Sequence, residues 1–149
     1  MITFKRHARR ESRRGAALVE MALVLPIFVA VTLGVVEFGR AMMVGNLVTN
    51  AAREGARLAI IDGSTNSQVE QAIEDFLETA VGVAAGDVSV TIDVQPYPGN
   101  PDPGDQVASC SPRDLVVVDV QVPYNKVSYI KPQFLDGKLL KGSASMRHE

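Results

Sequence analysis

Apolar residues form one continuous run near the start of the chain. Residues 16–36 contain a single ionisable side chain, Glu20, and the stretch from Met21 to Val36 carries no charge. About 20 apolar residues are enough for a helix to cross a bilayer, where every backbone polar group must be bonded within the segment. The pattern therefore predicts a transmembrane helix over 16–36, in which Pro26 produces at most a kink.

A helical repeat of apolar residues continues beyond this run. Polar side chains fall between the apolar ones, which is typical of an amphipathic helix with one packed face. We therefore predict a stem helix over 37–62, ended by Asp62-Gly63 because glycine adopts the left-handed conformation of many helix ends. The apolar positions, spaced three and four residues apart, are Val44, Leu47, Val48, Ala51, Gly55, Leu58 and Ala59.

A second, shorter helix is predicted after the stem. Ser67-Gln68-Val69-Glu70 has the form of a capping box, which satisfies free amides at a helix start. Gly82 or Gly86 is expected to end this helix. Its predicted apolar face consists of Val69, Ile73, Phe76, Leu77 and Ala80.

Three strands are predicted in the rest of the 63–149 domain. Apolar and polar residues alternate over 88–94, a valine-rich stretch covers 115–122, and a short strand is expected over 139–146. The first two strands are separated by 95–114, a loop rich in proline and glycine. A helix-plus-antiparallel-sheet domain is the simplest packing of these elements, so the predicted fold class is α+β, with a long N-terminal helix, a second short helix and a small antiparallel sheet.

Charge is distributed unevenly along the chain. Residues 1–15 carry six basic side chains against Glu11, a net charge of +5, which leaves −7 for the remainder of a chain whose total is −2. The positive-inside rule predicts that this basic leader is cytoplasmic and that the chain beyond about Glu37 is translocated. A nucleic-acid role for the leader is disfavoured because the leader adjoins a membrane span. A cleaved signal peptide is disfavoured because the apolar run is long and lacks an A-x-A site at its end.

No pattern in the sequence indicates catalysis or a bound cofactor. The single cysteine, Cys110, excludes an intrachain disulfide, and His7 and His148 are predicted on opposite sides of the membrane. There is no phosphate loop, dinucleotide fingerprint or His-Glu-x-x-His motif. Asp102 and Asp105 of the proline-rich loop fit solvated turn residues better than calcium ligands. We therefore predict a protein that is not an enzyme, with no cofactor, metal, nucleic acid or small-molecule substrate.

Charged side chains at the two ends of the span are candidates for contacts with other subunits. Glu20 could reach water at the cytoplasmic edge, since an acidic residue is costly at the centre of a span. Glu37 and Arg40 lie three residues apart, a spacing that predicts an intrahelical ion pair and equally allows a partner contact.

Small residues at four-residue spacing form a second kind of candidate contact. Ala30 with Gly34 would allow another helix to approach closely. Ala51, Gly55 and Ala59 have the same spacing in the stem, where packing against the chain's own sheet and packing against a neighbouring subunit are equally consistent with the pattern.

The junction between the leader and the apolar run resembles a type IV prepilin processing site. Gly15 stands behind the basic leader and is followed by four small or apolar residues and Glu20. The resemblance implies that a membrane aspartyl peptidase cuts after Gly15 and leaves Ala16 as the new N-terminus. It also implies that the Glu20 carboxylate neutralises the terminal amine of an adjacent subunit within the membrane.

A more specific resemblance is to TadE-like proteins, minor pseudopilins of the tight adherence (Flp, type IVb) pilus system. Met21 follows the glutamate where that family more often has an aromatic residue. Val122-Pro123-Tyr124 and Ser145-Met146-Arg147 add weaker similarity near the end of the chain. The resemblance rests on Arg14 to Pro26, Glu37-Phe38-Gly39-Arg40 and Asn50-Ala51-Ala52-Arg53-Glu54-Gly55-Ala56-Arg57.

The resemblance implies a pilin-like fold and a role in pilus assembly. The expected protein is a single-pass inner-membrane pseudopilin with a cytoplasmic N-terminus and an extracytoplasmic C-terminal domain. Its expected partners are the membrane, a prepilin peptidase and other pilins or pseudopilins. The alternative is a permanently anchored extracytoplasmic binding module whose proline-rich loop recognises a ligand or cell-wall component.

Overall fold

The computed structural model describes residues 8–149, with side chains described from residue 15 onward. His7 and the first part of the predicted leader lie outside the described residues. The elements confirm the predicted α+β class. In chain order they are α1 (Ala8–Ala59), α2 (Asn66–Val81), β1 (Ser89–Gln95), β2 (Leu115–Pro123), α3 (Tyr124–Val127) and β3 (Leu139–Arg147).

The chain divides into two compact units, the first ending at Val36 and the second comprising Glu37–Glu149. In the described chain, α1 is the one helix that is long and apolar enough to cross a membrane. No part of its most apolar 18-residue stretch is buried. Pro26 lies inside this helix. The Thr32 hydroxyl donates to the Phe28 carbonyl at 2.8 Å, so the helix itself satisfies this polar group.

In the second unit, α1 supplies one wall of the hydrophobic core. Val44, Val48, Ala51 and Ala59 are buried as the periodicity predicts, and Ala41, Ala52 and Ala56 widen the buried face. A side chain at Gly55 would lie 2.5 Å from Cδ1 of Ile73, because α2 packs directly on this glycine. The small residues of the stem therefore pack against the chain's own domain, which resolves the two alternatives for them.

The start of α2 lies two residues before the predicted capping box. Thr65 is the N-cap; its side chain accepts from the Gln68 amide, and the Gln68 side chain accepts from the Thr65 amide. The predicted box at Ser67 and Glu70 was therefore wrong, since an equivalent pair of side chains precedes it. The helix ends at Gly82, where φ is +75°, in agreement with the first of the two predicted stops.

The packed face of α2 is narrower than predicted. Val69, Ile73 and Leu77, each one turn apart, are buried against α1 and the sheet. Phe76 and Ala80, which were expected on the same face, are exposed. A single row of side chains is enough because the facing position on α1 is Gly55, which lets the two helices approach closely.

The three strands form an antiparallel meander in the order β1-β2-β3. Every second residue of β2 is buried, namely Val116, Val118, Val120 and Val122. Both hairpins carry long connections: Gln95 pairs with Leu115, and Pro123 pairs with Leu139. The proline-rich loop (residues 96–114) and the β2–β3 connection (residues 124–138) therefore lie at opposite ends of the sheet. The helix α3, inside the second connection, was not predicted.

Gly142 of β3 is expected to tolerate substitution least among the domain's glycines. An added Cβ would meet the backbone of Val48 and Thr49 at 2.6–2.7 Å, so the strand and α1 would have to move apart. We expect Gly142→Ala to destabilise the domain by about 2–3 kcal/mol, the range of severe overpacking. Guanidinium unfolding of the full-length protein in detergent, followed by tyrosine near-UV circular dichroism, measures this.

Two other glycines serve as controls for this substitution. In Gly55→Ala the added Cβ would lie 2.5–2.9 Å from Ile73 side-chain atoms and 3.5 Å from the Val69 side chain, with no backbone atom among them, so a smaller loss is expected. Gly86→Ala has nothing within 4 Å and should change stability least. Equal losses in all three variants would contradict the close contact between β3 and α1.

Candidate processing and membrane-boundary site

The residues of the predicted processing site lie on an exposed part of α1. Gly15, Ala16 and Glu20 are all exposed, and nothing lies within 4 Å of a side chain built at Gly15. Ala16 and Glu20 are four residues apart and therefore share one face of the helix. The arrangement leaves the Gly15–Ala16 peptide unit uncovered by the described part of the chain and keeps the Glu20 carboxylate on the helix surface.

The small residues of the predicted span also lie on the surface of the first unit. Ala30 is exposed and Gly34 is half-buried. The two residues are one turn apart, so they form a shallow notch on one face of the helix. A second apolar helix could approach α1 closely at this notch.

Glu37, the first residue after the apolar run, is the best-bonded carboxylate at this boundary. Its side chain is only 1% exposed. Three consecutive amides of the β2–β3 connection donate to it: Leu135 N–H at 2.6 Å, Phe134 N–H at 3.0 Å and Gln133 N–H at 3.1 Å. The carboxylate therefore closes the connection onto the first turn of the domain's part of α1.

Arg40 holds the same connection from one turn further along α1. Its Nε donates to the Val127 carbonyl at 2.9 Å, and its guanidinium carbon lies 4.2 Å from the centroid of the Tyr129 ring. The predicted Glu37–Arg40 ion pair was wrong, since neither of these two described side chains bonds the other. An i,i+3 pair contributes only a few tenths of a kcal/mol, whereas the connection offers each side chain several partners.

Two aromatic residues complete the attachment of the connection. The Tyr124 hydroxyl, which is buried, donates to the Glu37 carbonyl at 2.9 Å. Phe134 packs against Phe38 with ring centroids 6.4 Å apart. Sequence reasoning missed these contacts because the partners are about 90 residues apart in the chain and no local pattern joins them.

The protonation of Glu37 is set by two opposing effects. Burial raises the pKa of the Glu37 carboxyl, but the three amides favour the ionised form and lower the pKa below the ordinary glutamate value. The ionised carboxylate is therefore the form that the fold stabilises. This contribution is complete above the unfolded-chain pKa, about 4.3, and is lost as the pH falls through the lower folded-state pKa.

A similar arrangement fixes the proline-rich loop at the opposite end of the sheet. Asp114, fully buried, accepts from the Tyr97 amide, the Asn100 side chain and the Ser111 amide at 2.7–2.8 Å. Burial raises the pKa of Asp114, but these donors lower it below the usual aspartate value. Sequence reasoning did not single out Asp114, because an aspartate after a proline-containing turn is common.

The other acidic residues of this loop have structural partners. Asp105 accepts from the Val94 amide at 3.0 Å, and Asp102 accepts from the Gly104 amide at 2.9 Å. Asp105 therefore anchors the loop to β1 and is not merely a solvated turn residue. Over residues 15–149, no group of three or more His, Cys, Asp or Glu side chains is arranged to hold a metal ion.

His148 and Cys110 also lie at this end of the domain. The His148 amide donates to the Asp114 carbonyl at 2.9 Å, and its Nε2 lies 3.3 Å from an Asp62 carboxylate oxygen. Burial raises the pKa of the Cys110 thiol, and the neighbouring Asp114 charge adds to this effect. A thiol that resists ionisation is a poor nucleophile.

Replacing the Glu37 carboxylate should release the β2–β3 connection. In Glu37→Gln one oxygen becomes an NH₂ group facing amides that also donate, so at least one amide loses its acceptor. We expect hydrogen exchange at residues 133–135 to accelerate by about tenfold or more, as hydrogen bonds to charged groups are among the stronger ones.

Glu54→Gln is the matched control, because Glu54 lies on the same helix with its side chain 67% exposed. Exchange at 133–135 should not change in this variant. Unchanged exchange in Glu37→Gln as well would contradict the role given to the carboxylate.

The comparison with known protein families matches the first part of the described chain. A family model described as TadE-like protein covers residues 15–57, which include the proposed cut site, the apolar run and most of the domain's part of α1. No curated protein and no solved structure gives a significant match. Over residues 15–57 this chain is therefore similar to TadE-like proteins, in agreement with the resemblance predicted from its sequence.

Proposed function

We propose that this chain is a membrane-anchored minor pseudopilin that takes part in assembly of a tight adherence type IVb pilus. The observation that carries the proposal is the family match over residues 15–57, which begins at the glycine before the proposed cut. An apolar helix able to cross a membrane accompanies it. In this proposal residues 16–36 hold the subunit in the inner membrane, with the N-terminus cytoplasmic and the domain from Glu37 outside.

The proposed processing reaction is cleavage of the Gly15–Ala16 bond by a prepilin peptidase. Small side chains on both sides of this bond leave its backbone accessible to the enzyme. The helix α1 includes the bond in the uncut chain, so the peptidase has to unwind about one turn locally. Cleavage would remove six of the fifteen basic side chains of the chain and create a charged amine at Ala16.

Glu20 has a role in this proposal only after cleavage. An unpaired carboxylate inside a bilayer is costly, and the new amine of an adjacent subunit is a partner of opposite charge. Pairing between two subunits would set their relative register along the helix axis. Ala30 and Gly34 would let the two helices approach closely enough for van der Waals packing.

The two other predicted subunit contacts have a different part in the proposal. Glu37 and Arg40 direct their polar groups to the β2–β3 connection of their own chain. They would therefore act on a neighbouring subunit indirectly, by holding the exposed residues of that connection in place. The chain itself is proposed to be a structural component and the substrate of an enzyme.

Mass spectrometry of the chain recovered from membranes tests the processing step. In cells that contain the cognate peptidase, we expect the N-terminus at Ala16. Gly15→Val should block cleavage, since a branched side chain then occupies the position before the cut. Gly39→Ala, another helical glycine with open space around it, should be processed normally. An intact N-terminus at Met1 in the wild-type chain would favour the permanently anchored binding module instead.

Replacing Glu20 separates processing from assembly. Glu20→Gln keeps the size and removes the charge, so cleavage should continue while co-purification with other pilus subunits falls by about tenfold or more. Glu54→Gln, an exposed carboxylate of the same helix, is the control and should not alter co-purification. Normal assembly of the cleaved Glu20→Gln variant would remove the proposed register contact.

A further inference from the structure

Exposed large apolar residues cluster at one end of the folded domain. From residue 37 onward, ten large apolar side chains are exposed, and six of them belong to the first turns of this unit or to the β2–β3 connection. Single exposed apolar residues are normal, but a cluster requires an explanation. We name this cluster the boundary patch; it consists of Phe38, Met42, Met43, Tyr129, Ile130 and Phe134.

Polar and aromatic contacts attach part of the boundary patch to α1 next to Glu37. The three amides that bind the Glu37 carboxylate belong to residues 133–135, and Phe134 packs on Phe38. Tyr129 is held by the Arg40 guanidinium at 4.2 Å. The exposed side chains of Tyr129, Ile130 and Phe134 therefore project from a loop that several polar contacts attach to α1.

The position of Glu37 in the sequence places the boundary patch close to the end of the predicted membrane span. Glu37 follows Val36 directly, and Val36 is the last residue of the uncharged apolar run. If residues 16–36 cross the bilayer, the connection bound to Glu37 must lie within a few ångströms of the bilayer surface. The proline-rich loop, by contrast, lies beyond the other end of the domain's α1 segment, about 30 Å from Glu37 at 1.5 Å per residue.

The composition of the patch fits the interfacial zone of a membrane. Tyrosine is enriched there because its ring is apolar and its hydroxyl is polar. Tyr129 is 71% exposed and Phe134 is 51% exposed. Lys131, which is exposed between them, has a long stem and a charged end suited to anionic headgroups.

We propose that the boundary patch inserts into the outer face of the membrane that α1 crosses, so that the β2–β3 connection is a second, interfacial anchor. The occupant of the patch is thus the lipid headgroup region. The inference depends on membrane insertion of residues 16–36 but does not require a role in pilus assembly.

The natural absence of tryptophan makes a direct test available. Ile130→Trp and Phe134→Trp each introduce one fluorophore into the patch of the full-length protein. Tyr97→Trp places one in the proline-rich loop, and Phe28→Trp places one in the span. Each variant is placed, one copy per nanodisc, in phosphatidylethanolamine–phosphatidylglycerol bilayers with or without bromine at the upper acyl carbons.

The expected result is quenching in the patch and in the span but not in the loop. Brominated lipid should reduce the emission of both patch variants by about twofold or more, since interfacial side chains bury about 5–10 Å into the headgroup boundary. Tyr97→Trp emission should not change. Two patch positions are used so that misfolding of one variant does not decide the result.

Other outcomes overturn the inference in distinguishable ways. If Phe28→Trp is quenched and the patch variants behave like Tyr97→Trp, the anchor is real but the interfacial contact is not. A third outcome is that brominated lipid does not quench the patch tryptophans, and that they are protected from quenching by aqueous iodide only when several copies share a nanodisc. In that case another subunit covers the patch. If Phe28→Trp is not quenched, membrane insertion itself fails and the inference fails with it.

Discussion

The attachment of the β2–β3 connection to α1 depends on the hydrogen bonds made by one carboxylate, Glu37. This residue directly follows the apolar run and is the first residue of the folded domain. A buried charge is costly unless its oxygens are bonded, and three consecutive amides of the β2–β3 connection meet this requirement. Those bonds bring together two segments that are nearly 100 residues apart in the sequence. Without them, the connection would be held by the Arg40 and aromatic contacts and by the packing of Val127 and Leu135 on the hydrophobic core.

The helix α1 has to satisfy two different environments along its length. From Leu18 to Val36 its large apolar side chains, apart from the half-buried Leu33, are exposed, which suits a lipid solvent and would be unfavourable in water. From Ala41 onward a face of valines and alanines is buried under α2 and the sheet. Small residues allow close packing here: Gly55 of α1 faces Ile73 of α2, and Gly142 of β3 faces the backbone of Thr49. One helix therefore serves as both a candidate anchor and the wall of a core.

Local pattern was enough to predict most of the elements. Helical periodicity identified the buried face of the stem at Val44, Val48 and Ala51, and alternation identified the strand that contains Ile92 and Val94. These predictions succeeded because the period of the sequence reports directly which side is packed. The start of α2 was misplaced because two overlapping capping boxes, at Thr65 and Ser67, have the same local form.

The contacts at the boundary could not be predicted in the same way. The partners of Glu37 are backbone amides, which have no signature in the sequence, and the partner of the Tyr124 hydroxyl is a backbone carbonyl. The i,i+3 spacing of Glu37 and Arg40 suggested a mutual pair, but long-range partners displaced it. Asp114 was missed for the same reason. The family resemblance, by contrast, could be recognised from the sequence because it rests on side-chain identity over residues 15–57.

The central claim is that α1 passes from lipid to water outside the cytoplasm, and two cysteine substitutions test it most directly. Leu23 is 69% exposed and the Glu54 side chain 67% exposed, so the folded chain alone covers them about equally. In a Cys110→Ser background, a membrane-impermeant maleimide added to intact spheroplasts should label Glu54→Cys and leave Leu23→Cys unlabelled. Detergent denaturation should make both react. Equal labelling of the two positions before denaturation, or labelling of Glu54→Cys only after the membrane is opened, would contradict the account.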